Sequence, residues 1–246
     1  MRSDLLDAQA AIDWAVAQIP TLQGNILRWQ QGRPYELTME PDPKTGEQLI
    51  VARGASNVTP LINAEVGTMV NSLRSSLDLL AAALALRNGP KPKTHTYFPI
   101  SDTRRKFRER IKVIENEKWL SGTEIAQIKS LKPYPGGDKF IWPLAKLDNL
   151  RKHDRLIHAT FEISTFYMSM FIPHGVTDGR RIDDKTILRR FPSNTPTFVF
   201  SESNSHITGN VTFDEPAFGL DKAEIVPLLR DFAKRCAEII KLFDMP

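Results

Sequence analysis

The pattern of apolar and polar positions predicts mainly helices in the first two thirds of the chain. Apolar residues recur every three or four positions over residues 4–30, where Pro20 interrupts the pattern and indicates either two helices or one kinked helix. The most regular apolar stripe runs from Pro60 to Arg87. Thr59 before it is typical of an N-cap, and Asn88-Gly89 after it is typical of a helix end. We therefore expect one long helix between these two signals.

Shorter elements are predicted on both sides of that helix. They are a β-hairpin over residues 35–53, a basic helix capped by Ser101 or Asp102 and ending near Glu117, a short helix after Ser121-Gly122-Thr123-Glu124 and before Pro133, a helix opened by Pro143 and ending near Ile157, strands within Thr160–Ile172, Thr197–Ser201 and Asn210–Phe213, and a final helix within Asp221–Phe243. The order helix, hairpin, helices, sheet, helix predicts an α+β fold with an antiparallel sheet. We expect a single domain over residues 1–246, with a helical part over about 1–158 and the sheet plus terminal helix over about 159–246.

Composition narrows the class of protein without identifying it. The 246 residues are 41% hydrophobic and 25% charged, which is ordinary globular usage. The single cysteine, Cys236, excludes an internal disulfide and a cysteine-rich metal site. The sequence shows neither a signal-peptide pattern nor an uninterrupted apolar run of membrane-spanning length, so we expect a cytoplasmic protein with no membrane partner. No cofactor is predicted.

Charge adds one candidate surface. The net charge of +4 permits a nucleic-acid partner, but many enzymes carry as much. Six basic residues lie close together on the predicted helix that starts after Ser101. They are Arg104, Arg105, Lys106, Arg108, Arg110 and Lys112. Such a run is typical of a solvated helix face, and phosphate binding is the alternative interpretation.

A first polar cluster lies on the long helix. Asn71, Arg74 and Asp78 fall on the face opposite the apolar stripe, among small residues such as Gly67. Small residues indicate that a second element packs closely on this face, and Arg74 and Asp78 are one turn apart and can pair. The pair either fixes helix packing or lines a ligand-binding site, and an exposed surface is the third interpretation.

A second polar cluster lies within Leu147–His158. If the helix continues to its end, Arg151, Asp154 and His158 share a face, where Asp154 could orient the imidazole and Arg151 could hold an anion. These three are the candidate catalytic residues, and a helix-end salt bridge is the alternative. Lys152 and His153 point elsewhere. Because His153 and His158 are five residues apart and do not share a face, no metal site is predicted.

Four short motifs resemble those of a group of uncharacterised bacterial proteins. The segments are Asn71–Leu79, Phe98-Pro99-Ile100, Lys132-Pro133-Tyr134 and Leu147–Arg155. They are similar to an Asn-Leu-Arg-Ser-x-Leu-Asp-His helix, an FPI loop, a Gln-Pro-Tyr turn and a Leu-x-x-Leu-x-x-x-Asp-Lys-His-Arg helix. The match covers about residues 60–158. It departs from the pattern at four positions, with Leu79 in place of the histidine, Lys132 in place of the glutamine, and Arg151 and Asp154 in place of the acid and the arginine that flank Lys-His. The resemblance implies no particular activity.

A looser resemblance is to HEPN-type helical ribonucleases, which carry an arginine and a histidine a few residues apart on one helix. Arg151 and His158 are similar to that pair. The resemblance implies a homodimer that cleaves RNA without a metal, with arginine stabilising the charged transition state and histidine transferring protons. A nucleic-acid-associated HEPN-like protein is thus the first functional hypothesis.

Two other hypotheses belong to different classes. The first is a small-molecule-binding protein or enzyme whose pocket lies between the 60–87 and 143–158 helices. Its ligand-binding residues would be Asn71, Arg74, Asp78, Lys152 and His153, and its ligand an anionic small molecule. The second is a non-catalytic interaction module in which both clusters only stabilise the fold.

Overall fold

The computed structural model of the chain describes residues 1–54, 58–89, 96–169, 174–175, 181–182, 185–197, 200 and 204–244. The α-helices of this part are α1 (Leu6–Gln31), α2 (Pro60–Asn88), α3 (Arg104–Glu117), α4 (Gly122–Leu131), α5 (Ile141–His153) and α6 (Ile225–Leu242). The strands are β1 (Glu36–Pro41), β2 (Gln48–Arg53), β3 (Ala159–Met168), β4 (His174–Gly175), β5 (Arg181–Ile182), β6 (Lys185–Phe191) and β7 (Ser205–Phe213). The α+β class is confirmed.

Helix α2 is the centre of the fold. It contacts α1, α5 and α6, and Leu77, Leu80 and Leu84 on its apolar stripe are fully buried. Its start follows the prediction, because the Thr59 hydroxyl accepts a hydrogen bond from the backbone N–H of Ile62 at 3.4 Å. Of the small residues on its other face, Gly67, Ala81 and Ala85 are buried, as expected for a helix packed on several sides.

The strands form two antiparallel sheets. One has the order β1-β2-β6-β5 and the other the order β4-β3-β7. The first sheet joins the N-terminal hairpin to β6, a strand rich in basic residues that the sequence pattern did not predict. The main hydrophobic core takes buried side chains from all six helices and from β3 and β7, so the predicted helical part and the predicted sheet part share it.

Several boundaries differ from the predictions. Helix α1 continues through Pro20 as one helix. The cap of α3 is Thr103, whose hydroxyl accepts from the N–H of Lys106 at 3.1 Å, and not Ser101 or Asp102. Helix α5 ends at His153 and not near Ile157.

Two of the three strand predictions for the second half of the chain correspond to observed strands. The Thr160–Ile172 and Asn210–Phe213 predictions correspond to β3 and β7, although residues 170–172 lie outside the described residues. Of the strand predicted over Thr197–Ser201, Thr197 and Phe200 lie in no strand, and residues 198, 199 and 201 lie outside the described residues.

Helix α2 is also long and apolar enough, by length and composition, to cross a membrane. Half of its most apolar window is buried inside the fold. The core helix of a globular protein meets the same criterion, so this feature of α2 is weak evidence for a membrane span.

Candidate functional site

Asp148 joins the two polar clusters. Its side chain is buried, with 2% exposure, on the face of α5 that packs on α2. One carboxylate oxygen accepts a hydrogen bond from the Asn71 amide at 3.0 Å, and the other accepts from the Lys152 ammonium at 2.5 Å. The Arg151 Nε atom lies 3.8 Å from the first oxygen. A buried carboxylate needs such partners, so this contact orders the α2–α5 interface.

Arg74 and Asp78 form the predicted pair on α2. The Arg74 guanidinium lies 2.6 Å from the Asp78 carboxylate, and the side chains are 12% and 24% exposed. The same carboxylate oxygen accepts the backbone N–H of Phe98 at 2.9 Å. The pair therefore holds the Phe98-Pro99-Ile100 loop against α2, which is a structural role for both residues.

A cleft opens on the solvent side of this loop. It has a volume of about 380 Å³ and lies between α2, the start of α3 and α5. Its walls are Arg74, Ile100, Ser101, Asp102, Lys106, Arg110, Trp142, Ala145, Lys146 and Asn149. Trp142, Ala145, Lys146 and Asn149 occupy positions i, i+3, i+4 and i+7 and so share one face of α5.

The Asp138 side chain positions the α5 wall of the cleft. Its carboxylate accepts the backbone N–H groups of Phe140 and Ile141 at 2.9 and 3.0 Å, at the start of the helix. Its other oxygen accepts from the Arg235 guanidinium of α6 at 2.7 Å. The first turn of α5 is thereby fixed against α6, which sets the direction in which Trp142 and Lys146 project.

The cleft carries more positive than negative charge. Four of its side chains are cationic, and Asp102 is the single acidic one. Lys146 contacts Asp102 at 2.5 Å, and its hydrogen bond lowers the pKa of that carboxyl below the ordinary 3.8, against desolvation, which raises it. Lys106 and Arg110 make no ion pair with any described residue. The cleft thus offers two exposed cations beside two that are already paired.

The three candidate catalytic residues do not form a helix face. Arg151 lies in the last turn of α5, Asp154 is the residue after the helix, and His158 follows in the loop before β3. The Arg151–His158 spacing expected on one helix is therefore not realised on α5. This arrangement corrects the expectation that Asp154 and His158 lie one helical turn apart.

Glu215 explains where His158 lies. Its buried carboxylate accepts the backbone N–H of His158 at 3.1 Å and binds both terminal nitrogens of Arg155 at 2.9 and 3.0 Å. Glu215 immediately precedes a short 3₁₀ helix, Pro216–Phe218. The loop after α5 is thus held by the Arg155 side chain and the His158 backbone, and the His158 side chain is exposed.

Of the predicted ligand-binding residues, the structure brings only Arg74 to the cleft. Asn71 and Lys152 are bound to Asp148, Asp78 is bound to Arg74 and Phe98, and His153 is exposed at the end of α5. The sequence did not identify the other cationic side chains of the cleft as site residues. Lys106 and Arg110 did belong to the basic run on α3, for which phosphate binding was the alternative interpretation.

Asp148 was missed as well. The signal was an acidic residue next to Leu147 in the apolar stripe of α5, one turn before Lys152.

Among the described residues, no group of three or more histidine, cysteine, aspartate or glutamate side chains could hold a metal ion. No family model, curated protein or solved structure gives a significant match to the chain.

Proposed function

We propose that the protein binds a small anionic ligand, bearing a phosphate or carboxylate group, in the cleft between α2, α3 and α5. The observation that carries the proposal is the pair of exposed cations, Lys106 and Arg110, facing a cleft that already contains Arg74 and Lys146. Cations converging from three elements are what an anion site needs. The proposal keeps the hypothesis of a polar pocket between α2 and α5 but assigns it other residues. Of the ligand-binding residues expected from the sequence, only Arg74 lines the cleft.

The shape of the cleft supports a small ligand. Its volume of about 380 Å³ falls within the usual range for small-molecule pockets. Ile100 and the Trp142 ring supply apolar wall, and the Asn149 amide adds a neutral hydrogen-bonding group. A ligand with an anionic group and an apolar or planar part suits this mixture.

The HEPN-like RNase hypothesis has less support. It depends on Arg151 and His158 acting together from one helix, whereas Arg151 lies beside buried Asp148 and His158 lies beyond the end of α5. RNA as a partner, a homodimer and a cytoplasmic location remain predictions of the sequence. We therefore favour the small-ligand proposal over the RNase one.

Calorimetric titration with inorganic pyrophosphate and with citrate tests the proposal. We expect saturable binding of at least one of them, weakened at least tenfold in a Lys106→Ala/Arg110→Ala variant, because both exposed cations are removed. The matched control is Arg105→Ala/Arg108→Ala, which removes the same charge from α3 outside the cleft walls. Equal losses in the two variants would show that only the general basic charge of α3 matters. No binding of either anion would also count against the proposal.

A further inference from the structure

Helix α3 has a groove on each side. One is the cleft described above, and the other, the α3–α4 groove, lies between α3, α4 and the turn after α4 and has a volume of about 370 Å³. The cations of the α3–α4 groove are Arg104, Arg108, Lys112 and Lys129, and Tyr134 is its partly exposed aromatic residue. The two grooves share no wall residue, so α3 carries two separate basic surfaces.

Three of these cations are available to a partner. Arg104, Arg108 and Lys112 are exposed and form no ion pair with any described residue. Lys129, by contrast, contacts the Glu115 carboxylate at 2.7 Å, and Glu115 is the one acidic wall residue of the groove. The groove therefore presents three unpaired positive charges.

The unpaired cations are evenly spaced along α3. They occupy positions i, i+4 and i+8, so their Cα atoms follow each other about 6 Å apart along the helix axis. This spacing is comparable with that of successive phosphates in an extended nucleic-acid strand. Two of the three are arginines, whose planar guanidinium groups bind a phosphate through two donors at once. The row is therefore suited to a chain of phosphates.

Tyr134 adds an aromatic surface beside the row. Its ring packs on the Phe107 ring, with the centroids 5.4 Å apart. The turn that carries it is held in place, because the backbone carbonyl of Pro133 accepts the N–H of Ser101 at 3.0 Å. Single-stranded nucleic acids bind to surfaces that combine such a ring, on which a base stacks, with cations along the backbone.

A membrane surface fits α3 less well. The apolar side of the helix consists of Phe107, Ile111 and Ile114, all buried in the core. A helix that lies in a membrane interface inserts its apolar side among the lipids, and α3 uses that side for folding. The exposed part of α3 therefore favours a hydrated polyanion.

We propose that the α3–α4 groove binds single-stranded nucleic acid, with Arg104, Arg108 and Lys112 on successive phosphates and a base stacked on Tyr134. These contacts reach the backbone and a ring face and no base edge, so little sequence preference is expected. The site includes neither Arg151 nor His158, and it does not depend on the anionic ligand of the other groove.

Fluorescence anisotropy with a labelled oligothymidylate at low salt tests the proposal. We expect saturable binding, weakened at least tenfold in Arg104→Ala/Arg108→Ala, because two of three phosphate contacts are lost. The matched control is Lys106→Ala/Arg110→Ala, which removes an equal charge from the other side of α3 and should weaken binding less than threefold. Binding by the unmodified protein should fall with salt at a logarithmic slope of about −2, since each of three phosphates contributes about −0.7.

The stacking contact has its own pair of variants. Tyr134→Ala should weaken binding at least fivefold, whereas Tyr134→Phe, which keeps the ring and its packing on Phe107, should leave it unchanged. An oligoglutamate peptide of equal charge should bind at least tenfold more weakly than the oligonucleotide, because it offers neither phosphates nor bases.

Four results would overturn the proposal. They are no saturable binding of the oligonucleotide, equal losses in the two double variants, undiminished binding in Tyr134→Ala, and equal binding of the oligoglutamate peptide. The last result would identify the groove as a site for acidic protein segments.

Discussion

A Cβ atom at Gly67 would lie 2.7 Å from Cδ and 3.1 Å from Cγ of Arg151. The side chain of Arg151 therefore lies directly across the glycine, with space there for a hydrogen atom only. Gly67 is inside α2 and Arg151 is in the last turn of α5, so the glycine sets how closely the two helices approach.

This relationship predicts opposite effects of one substitution in two backgrounds. Gly67→Ala alone should lower the free energy of unfolding by about 1 kcal/mol, since the overpacking cost exceeds the gain in helix propensity. With Arg151→Ala in the background, the same change should raise it by about 0.5–1 kcal/mol, because only the propensity gain remains. Urea denaturation of the four proteins measures both values. A change of the same sign in both backgrounds would contradict the packing argument.

The sequence predicts well those elements whose signals are local. The start of α2 depends on Thr59 and Pro60, and the start of α4 depends on Ser121, which forms a capping box with Glu124. The α+β class follows from the order of such elements. These features require only neighbouring residues, and the pattern of the chain contains them.

The parts that were wrong depend on distant residues. Helix α5 ends early where the backbone of Arg155 bonds Leu150 and its side chain binds Glu215, 60 residues away. The cleft depends on α3 and α5 meeting, which brings Lys106 near Lys146. The sequence shows the basic run on α3 and the lysine on α5, but it gives no local signal that the two lie close together. Strand β6 was missed because its charged residues mask the alternation expected of a strand.

Asp148 is expected to matter more for stability than any of its partners. Asp148→Ala should lower the free energy of unfolding by about 2–3 kcal/mol, somewhat below a fully buried ion pair, because Lys152 can reach water once the carboxylate is gone. Lys152→Ala should cost under about 1 kcal/mol, since that side chain is 39% exposed. Circular dichroism during urea unfolding measures both. As a control, Asp154→Ala at an exposed position should change the free energy of unfolding by less than about 0.5 kcal/mol. A loss in Asp154→Ala as large as that in Asp148→Ala would contradict the prediction that burial makes Asp148 important.

Glu215 and His158 should behave differently although they are hydrogen-bonded to each other. Glu215→Ala should cost about 2–3 kcal/mol, because it removes a bidentate partner of Arg155 and leaves the His158 N–H unpaired. His158→Ala keeps that backbone bond and removes an exposed ring, so it should change stability by less than about 0.5 kcal/mol. Thermal unfolding distinguishes the two. A large loss in His158→Ala would mean that the ring, and not the backbone, holds the loop.

The Asp102–Lys146 contact should make stability depend on pH in the acid range. Because the hydrogen bond from Lys146 lowers the pKa of Asp102 below its ordinary 3.8, the contact stabilises the folded state fully above that value. Its contribution is lost as the pH falls through the lowered pKa, where the folded carboxylate takes up a proton. The difference in unfolding free energy between the unmodified protein and Asp102→Asn should therefore be constant near neutral pH and should shrink below about pH 4.

Urea denaturation of both proteins between pH 7 and the acid limit of folding measures this difference. The Asp102 side chain is about half exposed, so solvent screening keeps the effect small, and the informative quantity is its change with pH. Repeating the comparison in a Lys146→Ala background should remove most of the pH dependence, because the main cause of the lowered pKa is then absent. An unchanged pH dependence in that background would assign the shift to Trp142 or Lys106, which also act on Asp102.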